Sequence, residues 1–191
     1  YYKILQNNLL DKFPNDFILY IREISKINFN RNAKLHKEIT LLSKILSKNK
    51  IPHIFLKGSG NILSKMYKKN YVRMVGDIDI LIKKENCDKA FKLLNELDYY
   101  PISKISFQEN HRHLQRLVNK KKMFPIEIHH KLFNNYKAFE KLNLFDNIIL
   151  SNGYKTLNNK TNLIYNILNT QVNDSNSIFL KYSFRNIYDS F

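Results

Sequence analysis

Cysteine occurs once in the 191 residues, as Cys87. That excludes a disulfide framework and a cysteine-rich zinc site, and it leads us to expect the reducing cytosol, a cytoplasmic location. No signal-peptide pattern is present, and no apolar run approaches the roughly 18–20 residues that cross a bilayer, so no membrane partner is expected. Glycine is scarce: of four, Gly58, Gly60 and Gly76 fall within one region. In so glycine-poor a chain this suggests backbone brought close to something. Internal repeats are lacking, and the Lys/Asn bias is too dispersed for low complexity. An opening at Tyr1-Tyr2 without methionine and an end within helical patterning read as those of a fragment.

Negative charge is also in short supply, with 16 acidic against 32 basic residues and a formal charge of +16. Such an excess draws in polyanions: nucleic acid, nucleoside triphosphates or acidic surfaces. Yet only six of the basic residues are arginine, and they come with heavy Asn and Ile usage. Without clustered arginine and aromatics, this profile reads as compositional bias rather than a dedicated nucleic-acid surface.

What is present fits one domain with helical extensions, large enough to bury a core. Residues 1–50 read as an N-terminal helical segment packed on the core. Ile4, Leu9, Leu10 and Phe13 are followed by Phe17 to Leu19, then by a helix from about Asn32 to Lys48. In the last, Leu35, Ile39, Leu42, Ile45 and Leu46 recur at three- and four-residue steps. Pro52 ends it. Residues 51–135 read as the core: a strand at His53 to Lys57, a Gly58-Ser59-Gly60 turn, and a helix through Tyr67. A strand from Gly76 to Ile82 and a helix from Glu85 to Leu97 follow, the helix ending at Tyr99-Tyr100-Pro101. Ala90, Phe91, Leu93, Leu94 and Leu97 form its buried stripe, with Cys87 packing at its start. His111 to Val118 and Met123 to His129 then read as a hairpin about Asn119 to Lys122. Residues 136–191 read as a C-terminal helical segment, broken at Ser151-Asn152-Gly153 and with patterns over Leu163 to Leu168 and Ile178 to Ile187.

The chemistry centres on Gly76-Asp77-Ile78-Asp79-Ile80-Leu81-Ile82. Alternation along a strand puts Asp77 and Asp79 on one face and the isoleucines on the other. Two carboxylates roughly 6–7 Å apart repel and resist desolvation unless a cation or proton sits between them. Glu127, between Ile126 and Ile128, is a third acid in a strand; if the two strands are neighbours, Asp77, Asp79 and Glu127 converge. Three clustered carboxylates suit Mg²⁺, with Mn²⁺ as the alternative. Lys57, Ser59 and Arg73 suit a triphosphate, and Gly58-Ser59 at a helix start offers unpaired N–H groups to an anion. His129 shares the face of Glu127 and could orient an acid or the acceptor. His111 and His113 also share a face, but with no cysteine or third histidine nearby they do not make a zinc site.

An aspartate-nucleophile phosphatase would end its strand after Asp-x-Asp, whereas here Ile80-Leu81-Ile82 continues it. A nuclease of the Asp…Glu-x-Lys type would carry lysine where His129 stands.

The order of strand, Gly58-Ser59, helix, Asp77-Ile78-Asp79 and then Ile126-Glu127-Ile128 resembles the nucleotidyltransferase superfamily that includes DNA polymerase beta. More narrowly, the chain resembles a bacterial family described only as uncharacterised nucleotidyltransferases. The residues in question are Phe55-Leu56-Lys57-Gly58, Tyr67, Arg73, Gly76 to Leu81, Ala90 with Leu94, Glu127-Ile128-His129 and Arg185-Asn186-Ile187-Tyr188-Asp189, over roughly residues 35–191. The resemblance implies an α+β fold, a mixed β-sheet flanked by helices. It also implies that Asp77 and Asp79 ligate the Mg²⁺ carrying the triphosphate, while a second Mg²⁺ bridges them to Glu127. Glu127 would accept the proton of the acceptor hydroxyl. Ser59 and the Gly58 backbone would hold the β- and γ-phosphates, with Lys57 and Arg73 neutralising them. The reaction implied is transfer of a nucleoside monophosphate to an acceptor (a small molecule, a protein or RNA) with release of pyrophosphate. The runner-up is an RNA- or tRNA-directed nucleotidyltransferase toxin of the same fold, and a third reading is an inactive fold kept as a binding module.

Overall fold

A short helix α1 (Tyr2–Gln6) and a 3₁₀ turn (Leu10–Lys12) precede Pro14, which starts the longest element, α2 (Asn15–Lys48). The computed structural model describes residues 1–67, 69, 72–102, 111–134, 144–173 and 187. The sequence reading split α2 into pieces, but the structure joins them into one helix of 34 residues. Neither glycine nor proline occurs between Asn15 and Lys48, so nothing interrupts the hydrogen-bond ladder. Only the second half is well packed: Leu35, Ile39, Leu42 and Leu46 are buried, whereas Leu19, Tyr20 and Ile27 are exposed.

The core elements follow as β1 (His53–Phe55), α3 (Lys57–Leu63), β2 (Ile78–Ile82) and α4 (Lys84–Asn95). Next come β3 (Tyr100–Pro101), β4 (Leu117–Val118), β5 (Ile126–His129), β6 (Ile148–Ser151), β7 (Tyr154–Leu157) and α5 (Asn159–Leu168). The strands form one mixed sheet in the order β3-β4-β5-β2-β1-β7-β6. β2 pairs antiparallel with β1 and parallel with β5, so it is central and flanked by the elements that carry the other site residues.

Alternation on β2 explains its complete burial. Ile78, Ile80 and Ile82 face the larger core, with Leu35, Ile39, Leu42 and Leu46 of α2 and Ala90 and Leu94 of α4. Leu81 faces the other side, with Ile54, Leu56, Leu132, Phe133, Leu157 and Tyr165 of α5. Each fully buried Ile or Leu contributes about 1.5–3 kcal/mol, so the larger core fixes the strand and Asp79 has to accept the opposite face. Cys87 is buried at the start of α4, as expected, while Leu97, expected in the buried stripe, lies past the helix end and is 36% exposed.

Two segments differ from the sequence reading. Residues 148–157, within the stretch expected to be helical, form a β-hairpin whose second strand pairs with β1. Asn152 (φ 50°) and Gly153 (φ 83°) both occupy the left-handed region. An Asn-Gly pair with two positive φ angles is the favoured two-residue hairpin turn. α3 starts at Lys57 and ends at Leu63 instead of following a Gly-Ser-Gly turn and reaching Tyr67. The expected helix over Leu163 to Leu168 is α5, capped by the Asn158 side chain accepting from the Thr161 N–H. The expected pattern over Ile178 to Ile187 lies outside the described residues except for Ile187, which is helical.

Candidate active site

The two acidic strands are neighbours. β2 and β5 run parallel with Asp79 opposite Glu127 and Leu81 opposite His129. Because Ile78, Ile126 and Ile128 are held in the larger core, Asp79, Glu127 and His129 project together on the other face. All three are buried; Asp77, one residue before the strand, sits at the rim with its side chain 30% exposed. The two aspartates are therefore not equivalent: one is interior and one is at the mouth.

Charges this deep cost several kcal/mol each unless they are paired. The pairing is dense. Lys57 Nζ lies 2.5 Å from Asp79 Oδ1 and 3.8 Å from Glu127 Oε2. His129 Nε2 lies 2.8 Å from Asp79 Oδ1 and 3.6 Å from Glu127 Oε2. A carboxylate only accepts, so His129 Nε2 carries the proton of the Asp79 bond. Its Nδ1 is buried with no hydrogen-bond partner among the described residues. Arg116 closes the other side, donating to Glu127 Oε1 from Nε (2.8 Å) and Nη2 (2.6 Å), and from Nη2 to Asp77 Oδ2 (3.0 Å).

The titration directions follow from this arrangement. Burial alone would raise Asp79, but Lys57 and the His129 hydrogen bond outweigh it and hold the carboxyl below its ordinary value. Burial likewise opposes the Glu127 charge, and His129, Lys57, His113 and Arg116 together bring it well below the usual carboxylate range. Asp77 is raised, first by burial and then by its like-charged neighbours Asp79 and Glu127. Burial works against the Lys57 ammonium, yet Asp79, Tyr165 and Glu127 keep it charged and push its pKa upward.

The residues expected to hold phosphate divide. Lys57, at φ 50°, turns its side chain into the carboxylates. A Cβ on Gly58 would lie 3.0 Å from Arg73 Nη1 and from a Val75 methyl, so Lys57, Gly58 and Arg73 form one tight corner. Arg73 Nη1 also donates to the Met74 carbonyl at 2.6 Å. The Ser59 hydroxyl faces inward: it donates to the Leu56 carbonyl at 2.7 Å and lies 3.3 Å from the Asp79 N–H, docking α3 on β2. The close approach suggested by the glycines is found at Gly60, where a Cβ would lie 2.5 Å from the Phe55 carbonyl oxygen, so what it approaches is the chain's own backbone. Gly76 has open space around it.

Two site residues went unassigned in the sequence: Arg116 and His113, whose Nε2 is 3.9 Å from Glu127 Oε2. For Arg116 a signal existed. Leu117 pairs with Ile126 across the antiparallel β4 and β5, and one step outward along that register sets Arg116 against Glu127, an opposite-charge cross-strand pair.

Among the described residues, Asp79, Glu127 and His129 each offer one ligand atom, all within 4.8 Å of one another. With Asp77 at the rim, carboxylate oxygens dominate the donor set, which fits a hard divalent cation such as Mg²⁺ or Mn²⁺. His129 suits a supporting place better than a ligating one. Binding a cation through Nε2 would move its proton to Nδ1, which faces no acceptor among the described residues, whereas metal-bound imidazoles donate their other N–H.

Comparison with known proteins agrees with this architecture. No curated protein matches the chain. A putative nucleotidyltransferase from Thermotoga maritima superposes with a TM-score of 0.58 at 13% identity, covering 78% of this chain and 92% of that one. The lincosamide antibiotic adenylyltransferase LnuA, solved with lincomycin bound, gives 0.53 at 13% identity over 81% and 92%. The antibiotic-resistance factor ANT(2'')-Ia gives 0.54 at 7% identity over 85% and 82%. At these identities the likeness is one of fold. The sequence profile described as "uncharacterised nucleotidyltransferase" matches residues 1–190, and the chain belongs to that family.

Proposed function

We propose that this nucleotidyltransferase moves a nucleoside monophosphate from a nucleoside triphosphate, ATP among the candidates, to a hydroxyl-bearing acceptor and releases pyrophosphate. The observation that carries the reading is the parallel register of β2 and β5, with Asp79 opposite Glu127, Asp77 at the mouth and Lys57 between them. A divalent cation, Mg²⁺ or Mn²⁺, held by Asp77, Asp79 and Glu127 would supply positive charge for the triphosphate oxygens.

In this reading Lys57 and Arg73 neutralise the phosphates above the Gly58 backbone, while Ser59 keeps that corner seated on β2. His129 and Lys57 hold Asp79 Oδ1 and so fix the orientation of its carboxylate. The acceptor oxygen attacks the α-phosphorus, the α–β phosphoanhydride bond breaks, and the hydroxyl proton passes to Glu127. The forming O–P bond acidifies the hydroxyl, which eases the proton's transfer to Glu127. Segments 1–50, 51–135 and 136–191 would serve as helical support, catalytic core and C-terminal support. Among the described residues no helix is long and apolar enough to cross a membrane, and the reading sets the protein to work in the cytosol, where triphosphates are abundant.

The resistance proteins that share the fold support a small hydroxylated acceptor. The formal charge of +16 favours a second reading in which the acceptor is RNA. The test is incubation of the protein with each α-labelled triphosphate and Mg²⁺ or Mn²⁺ against metabolite, protein and tRNA fractions. Label in one fraction together with stoichiometric pyrophosphate supports the reading and names the acceptor class. Should RNA be labelled, its binding has to weaken steeply with salt. No transfer with any triphosphate or cation would leave an inactive binding module.

A further inference from the structure

Arg116 is the least sheltered member of the charge cluster and makes three hydrogen bonds within it. Among the described residues the cluster sets three carboxylates, Asp77, Asp79 and Glu127, against two permanent cations, Lys57 and Arg116. Adding a divalent cation to that balance leaves excess positive charge until a triphosphate arrives, and the cation needs carboxylate oxygens that the basic side chains already hold. One basic side chain therefore has to yield, and the two are not equally placed. Lys57 is 23% exposed and bonds the fully enclosed Asp79, a pair that is costly to break. Arg116 is 42% exposed and reaches Asp77, itself 30% exposed at the rim, so its release into water is cheap. Its planar fork suits phosphate as well as carboxylate.

We propose that Arg116 is a displaceable counter-cation: it ties Asp77 to Glu127 in the metal-free protein, swings off both as a divalent cation takes their oxygens, and closes on the triphosphate. This rests on the cation-dependent reading above and adds that Arg116 couples the two ligands, making the cation bind weakly alone and tightly with nucleotide. Arg116 thus works against the cation and for the nucleotide.

Those opposite signs define the experiment. Mn²⁺ is titrated calorimetrically into wild type, Arg116→Gln and Arg116→Lys, with and without a non-hydrolysable triphosphate analogue, after circular dichroism establishes that each is folded. Removing a unit charge a few ångströms from the cation should tighten Mn²⁺ binding in the absence of nucleotide about tenfold or more in Arg116→Gln. The same variant should bind the analogue with Mn²⁺ about tenfold more weakly, given the strength of charge-assisted phosphate contacts. Arg116→Lys should fall between, and it carries the test if the glutamine variant does not fold. Weakening of both ligands would overturn the proposal and make Arg116 a structural strut; so would unchanged Mn²⁺ affinity. Absence of Mn²⁺ binding in every variant, nucleotide present or not, would instead overturn the cation-dependent reading, and this inference with it.

Discussion

Asp79 and Glu127 stand opposite each other on parallel strands, and a single ammonium, that of Lys57, lies 2.5 Å from the first and 3.8 Å from the second. The geometry is built by hydrophobic packing: isoleucines on the reverse of both strands hold the register, and the carboxylates follow from alternation.

Asp79→Asn keeps the shape and hydrogen-bonding reach of the side chain but removes the charge at the centre of the cluster. Pyrophosphate release should fall by about 10²–10³-fold or more, the usual scale for losing one preorganised electrostatic contributor. Circular dichroism should still show a folded chain, because Glu127 remains near Lys57. Full turnover in this variant would remove the carboxylate from the mechanism.

Glu38 on α2 is buried, and the Tyr99 hydroxyl donates to its Oε1 at 2.5 Å. Burial raises its pKa above the ordinary value, against the opposing effects of the Tyr99 bond and Lys122. A raised folded-state pKa means that the native state holds more protons than the unfolded chain. The associated stability is present below the unfolded pKa and is lost as pH rises through the folded one. Glu38→Gln keeps an acceptor for Tyr99 without the buried charge. It should be more stable than wild type at neutral pH and lose that advantage as pH falls through the raised folded-state pKa toward the ordinary glutamate value. A gain of about 1 kcal/mol would raise Tm by roughly 2–4 °C in a chain of this size. Thermal melts at several pH values decide it, and equal Tm differences at all of them would refute the titration argument.

Gly60 and Gly76 make a controlled pair. A methyl at Gly60 meets the Phe55 carbonyl oxygen at 2.5 Å, a backbone atom that cannot rotate away, while one at Gly76 meets nothing within 4 Å. Gly60→Ala should cost about 1–3 kcal/mol or more, and Gly76→Ala should stay within about 0.5 kcal/mol of wild type. Denaturant titration separates them; equal stabilities would mean that α3 can shift away from β1.

Much of the core was legible because its signals are local. The alternation in Ile78 to Ile82 marked a strand, the stripe from Leu35 to Leu46 marked a buried helix face, and an acid between Ile126 and Ile128 marked a partner strand. The hairpin at residues 148–157 escapes the sequence because Ser151-Asn152-Gly153 serves equally as a break between helices and as a turn between strands; the two positive φ angles decide for the turn. Arg116 escapes the sequence for a different reason: its role exists only across the β4–β5 register, which needs the turn's length as well as each strand's pattern. Ser59 shows the converse limit. A serine at a helix start is compatible both with an anion and with a neighbouring backbone, and the packing of α3 against β2 gives Ser59 backbone partners in the Leu56 carbonyl and the Asp79 N–H.

Helix α2 is continuous in its hydrogen bonds but uneven in what supports them. Beyond Asn32 its residues are held by the larger core, whereas the preceding turns, spanning about 25 Å at 1.5 Å per residue, present Leu19, Tyr20, Ile24 and Ile27 to solvent, with Ile18 the one buried side chain there. One element therefore contains two opening regimes: amides in its second half exchange only when the whole core comes apart, and those in its first half exchange through local fraying at much lower free energy.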